Sequence, residues 1–86
     1  MSYSYDTEKH FVFTDEGQRM LLRVRDFAEK AMNLSGAVRA DKLMSAAGAG
    51  SSWAKMSCVD RLCELGELHL IPGTDRNAWQ FGVYIR

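Results

Sequence analysis

Between Thr14 and Gly36 the apolar side chains return at a helical period. Met20, Leu21, Val24, Phe27, Ala28 and Ala31 follow one another at steps of 1, 3, 3, 1 and 3, while Arg19, Arg23, Asp26 and Lys30 fill the opposite side. Turning about 100° per residue, the first set forms one stripe. The pattern predicts a helix opened by Thr14 or Asp15, residues that satisfy free N–H groups and suit the positive end of the helix. Gly36 is its stop. Leu22 lies off the stripe. Upstream, His10–Phe13 reads as a short strand, and residues 1–8 as a frayed polar tail with Tyr3 and Tyr5 its only bulky groups.

Downstream, Ala37-Val38-Arg39 is long enough only for a bridge or a minimal strand. A brief helix is expected from Asp41 to Ala47, with Asp41 as its cap and Leu43, Met44 and Ala47 facing inward. Gly48-Ala49-Gly50 permits a sharp turn. Ser51 or Ser52 then caps a longer helix running through Trp53, Met56, Val59, Leu62, Cys63 and Leu65 to Gly66. After that the period shortens to two. Leu68–Ile71 reads as a strand, Pro72-Gly73 as the centre of a type II turn, and Thr74-Asp75-Arg76-Asn77 as a polar tip. Trp79, Phe81, Val83 and Ile85 alternate with Ala78, Gln80, Gly82 and Tyr84, which predicts a second strand with the first set buried. Residues 9–86 thus make one α+β domain ordered strand, helix, bridge, helix, helix, hairpin.

Composition narrows the function classes. The 86 residues are 47% hydrophobic and 26% charged, enough for one core and too few for two. Lys+Arg and Asp+Glu both number 11, and neither half departs from neutrality by more than one charge. No basic tail or stripe supplies the non-specific attraction that phosphates offer, so a basic patch must be made by folding. Cys58 and Cys63 stand five apart on one helix, about 140° and roughly 7.5 Å from each other, which forbids an ordinary disulfide and suits a reducing cytoplasm. Neither a secretory leader nor a membrane span is expected. Cys58, Cys63, His10 and His69 match no metal-ligand spacing. No nucleophile is joined to a base, and the glycines at 48 and 50 lack the lysine of a phosphate loop, so no enzyme, metal or cofactor is expected.

A short helix, a glycine turn, a longer helix and a terminal hairpin resemble the winged helix-turn-helix superfamily over residues 10–86: three helices with a C-terminal antiparallel hairpin as the wing. Val59-Asp60-Arg61-Leu62-Cys63-Glu64-Leu65-Gly66 is similar to the end of the recognition helix in the multiple-antibiotic-resistance regulator family, and Asp75-Arg76 to its wing tip. Lys55 stands where that family carries apolar residues. The resemblance implies double-stranded DNA as partner, with helix Ser52–Leu65 in the major groove and Arg76 at the minor groove or a phosphate. The expected contacts are Lys55, Ser57 and Arg61 on the outward face, Arg39, Lys42, Arg76 and Asn77 toward the backbone, and Ser51 and Ser52 as a cap that also holds a phosphate.

A second reading uses the same fold as a protein-interaction module. The face Ala54, Ser57, Cys58, Arg61 and Glu64 carries only one of the side chains that discriminate bases, and its small residues suit a protein seat. Trp53 and Trp79 are expected as core anchors, and Tyr3, Tyr5 and Tyr84 as the aromatics free for a partner. Two half-sites would suit a symmetric homodimer. The sequence leaves monomer and dimer open.

Overall fold

A computed structural model describes residues 2–86. The helix expected after Thr14 forms as α2, Asp15–Ser35. Thr14 Oγ1 accepts the Gly17 N–H at 3.0 Å, and Gly36 closes the other end in the left-handed region at φ 76°. Of its stripe Met20, Leu21, Val24 and Ala28 are buried, joined by Met32, and Ala31 is half-buried, but Phe27, expected inside, is exposed, as is Leu22.

The N-terminal expectation fails. Tyr5–Glu8 is a helical turn, α1, and Lys9–Phe13 continues as a 3-10 turn rather than a strand. Val12 is fully buried and Phe11 packs beside it. This segment has no strand to pair with, so its carbonyls bond locally, as from Thr14 N–H to Phe11 at 3.0 Å.

Val38–Arg39 is the minimal strand β1, and α3 spans Ala40–Ala46. Asp41 does not cap α3; its carboxylate takes two hydrogen bonds from the Arg39 guanidinium, at 2.8 and 2.7 Å. At the far end the Ala47 carbonyl accepts Nε and Nη2 of Arg23, which ties α3 to α2. The glycine turn forms as expected, with Gly48 at φ 82° and Gly50 at φ 142°. Ser51 then caps α4, Ser52–Glu64, by accepting the Ala54 N–H at 3.1 Å.

The last third supplies two strands, β2 at His69–Leu70 and β3 at Val83–Ile85, which join β1 in a three-stranded antiparallel sheet of order β1-β3-β2. Pro72-Gly73 makes the turn, with Gly73 at φ 86° and Thr74 N–H on the Ile71 carbonyl at 3.3 Å. Trp79–Phe81 is a 3-10 turn, not strand. The architecture is therefore α+β with four α-helices, not three, and β3 is a central strand rather than half of a free hairpin. Cys58 and Cys63 are unbridged. Among the described residues no helix is long and apolar enough to cross a membrane.

At Gly17 three segments meet. The Phe11 carbonyl and Val12 Cα occupy the place where a Cβ would project, and Cys58 Sγ on α4 lies 3.9 Å from the Gly17 carbonyl. Gly17→Ala should cost about 2 kcal/mol by overpacking against backbone, and Thr14→Ala about 1 kcal/mol by loss of the cap, both read from urea unfolding midpoints at unchanged slope.

Candidate functional site

The expected DNA-facing side of α4 is not free. Ser57 and Cys58 are fully buried and Ala54 nearly so, together with Val59 and Leu62. Trp53, Met56 and Cys63, expected as core, are only partly covered. Small residues at 54, 57 and 58 serve close helix packing against α2, as the Gly17–Cys58 contact shows. The Ser57 hydroxyl donates to the Ala54 carbonyl at 2.6 Å and reaches no surface. Burial pushes the Cys58 and Cys63 thiols up to about 11, so both stay protonated at neutral pH.

The N-terminal segment fastens itself over the remainder of α4. Tyr3 donates to Asp60 at 2.6 Å, Tyr5 to Glu64 at 2.9 Å, and Lys9 pairs with Glu64 at 2.8 Å. Arg61 joins Glu64 at 2.6 Å and stacks its guanidinium over Phe13 at 5.1 Å. The Tyr3 ring meets Trp53 edge-on, centroids 6.5 Å apart. Tyr3 and Tyr5, expected to be free for a partner, already have one within the fold.

The other expected contacts scatter. Arg39 lies on the sheet, held by Asp41 with its guanidinium 5.9 Å from the Phe81 ring. Arg61 belongs to the N-terminal cluster instead. Ser51 and Ser52 are exposed at the start of α4, with Lys55 partly covered one turn on. Lys42 is exposed on α3, and Arg76 and Asn77 are exposed in the loop after the Pro72-Gly73 turn. Of the expected contact cations only Arg39 and Arg61 are in ion pairs, with Asp41 and Glu64; Lys9–Glu64 and Arg25–Glu67 are two further pairs among the described residues.

A different surface emerges on the sheet. Tyr84 pairs with Val38 and Leu70 and packs against the core. Its neighbours Val83 and Ile85, paired with Arg39 and His69, must then point to the opposite face. Phe81, beside Arg39, extends that face. Phe81 is 49% exposed and Ile85 39%. The sequence expectation had this parity reversed, with Tyr84 outside and Phe81, Val83 and Ile85 inside. Trp79 too is 39% exposed rather than a core anchor. The alternation was visible in the sequence, but the choice of face depends on Val38 and Leu70 across the sheet.

Burial and the bond to Glu64 push the Tyr5 phenol up to about 12. Tyr3, by burial and Asp60, and Tyr84, by burial, are also held above the ordinary range. Hydrogen bonds from Lys9, Arg61 and Tyr5 hold Glu64 down at about 2. The folded chain thus keeps the phenols protonated where the unfolded chain ionises them. The Tyr5 contribution is complete below about pH 10 and is lost as pH rises through about 12, while those of Tyr3 and Tyr84 persist to higher pH. The Glu64 contribution is present above about pH 4.5 and is lost as pH falls toward 2. Absorbance of tyrosinate should stay flat to about pH 11 in the folded protein and titrate near 10 in urea; early ionisation in the folded chain would show that the N-terminal clasp is not formed.

No protein-family model matches the chain, and neither curated proteins nor solved structures give a match.

Proposed function

We propose that this chain is a protein-docking module built on a winged-helix-like framework, and that its contact surface is the outer face of the sheet. The framework reading is supported by the order α2, α3, glycine turn, capped α4 and antiparallel strands. The docking reading is carried by one observation: Val83 and Ile85 point to the side of β3 away from the core, and Phe81 is exposed in the 3-10 turn just before them. Apolar side chains that flank a sheet without covering are stabilised by a second surface, at about 25 cal/mol per Å² of apolar area removed from water. A specific interface takes about 800 Å² from each partner, a modest share of this chain's 5248 Å². Aromatic and aliphatic anchors such as Phe81 and Ile85 supply most of the binding energy in contacts of that size.

Double-stranded DNA is the second reading. It is favoured by the exposed start of α4 at Ser51 and Ser52 and by Arg76 in the loop. Equal numbers of cations and anions, with four of the cations in ion pairs among the described residues, weigh toward a protein.

Phe81→Glu with Ile85→Lys should reduce capture of the native partner at least tenfold, about 1.4 kcal/mol, when wild-type and variant baits are compared by quantitative mass spectrometry of source-cell extract. Lys55→Ala with Arg76→Ala should leave that capture unchanged. The opposite pattern, joined to micromolar binding of random duplex DNA that weakens steeply with salt, would replace this reading with the DNA one.

A further inference from the structure

On the side of β3 that faces the helices, a slot of about 30 Å³ opens between α3, α4 and β3, lined by Met44, Met56, Asp60, Trp79 and Tyr84 among others. Asp60 is its one charged lining residue. That carboxylate is partly buried on α4, and its hydrogen bond comes from a neutral group, the Tyr3 hydroxyl at 2.6 Å. Asp41, Glu64 and Glu67 each face a lysine or an arginine at 2.6–2.8 Å; Asp60 has no cation partner among the described residues. A partly desolvated negative charge without a counter-ion favours a cation delivered from outside. The walls suit one as well, because indole and phenol faces attract positive charge.

We propose that this slot seats the ammonium tip of a lysine. Size is compatible with it. A space of about 30 Å³ takes about two water-sized groups, which accommodates Nζ and Cε. The ammonium donates to the Asp60 oxygen not engaged by Tyr3, and the methylene stem lies along Trp79, which is 39% exposed at the slot's edge. That the lysine belongs to a protein partner rests on the docking proposal above. Binding of the cation itself does not.

The experiment is an amide and indole NMR titration at pH 7 with n-butylammonium chloride, against sodium chloride at equal ionic strength and against 1-butanol as the neutral isostere. Saturable shifts of the Trp79 indole N–H and the Tyr84 amide with the ammonium only are expected, and Asp60→Asn should weaken them at least tenfold. Trp79→Leu, a change at the surface that leaves the Tyr3–Asp60 bond in place, should weaken binding severalfold and decides the matter if Asp60→Asn fails to fold. Equal response to 1-butanol, non-saturating shifts spread over the acidic surface, or undiminished affinity in a folded variant would overturn the proposal. A slot that binds n-butylammonium while the Phe81/Ile85 variant keeps its partner would refute the docking face and leave the cation seat standing.

Discussion

The close approach of two backbones at Gly17, with the Cys58 side chain of α4 against the same residue, sets the rest of the structure. The N-terminal turn crosses α2 there, with the Phe11 carbonyl lying in the volume that any side chain would need, and the Cys58 thiol of α4 rests against the Gly17 carbonyl from the other side. Because α4 is drawn so near, its small residues Ala54, Ser57 and Cys58 are enclosed. Close packing of this kind tolerates little change in volume. A helix whose sequence looks half open is thereby made the central element, wrapped by α2, α3 and the N-terminal segment.

That enclosure redistributes the surface available to a partner. With the middle of α4 shut, the polar groups on its flank are occupied by Tyr3, Tyr5 and Lys9. The charged side chains settle into local pairs, and exposed pairs of this sort add little stability while they neutralise the field of each cation. Among the apolar groups that stay uncovered are Phe81 and Ile85 at β3 and Trp79 at the edge of the slot, besides Leu22, Leu34 and Leu65 on the helices and their ends. Phe81 and Trp79 belong to the same 3-10 turn.

Much of the local structure was legible beforehand, for reasons that act over a few residues. The stripe from Met20 to Ala31, the Thr14 cap and the Gly36 stop specified α2. Gly48, Gly50 and Ser51 specified the turn and the start of α4, and Pro72-Gly73 the reversal after β2. The N-terminal helix escaped notice because nothing in Tyr5–Glu8 is apolar in a helical period; it is held by phenol hydroxyls and Lys9 reaching residues more than fifty positions away.

The sequence by itself determined where α2 and α4 begin and end, where the glycine turns fall, and that Val83–Ile85 alternates, since capping, positive φ and periodicity are properties of neighbours along the chain. Only the tertiary structure decided which side of an element is inside. For α4 the small residues could have faced solvent or a helix, and the backbone proximity at Gly17 chose the helix. For β3 the Tyr84 side went inward to pack against the core to which Val38 belongs, which turned Val83 and Ile85 outward, beside Phe81 in the preceding 3-10 turn, and left the proposed docking face.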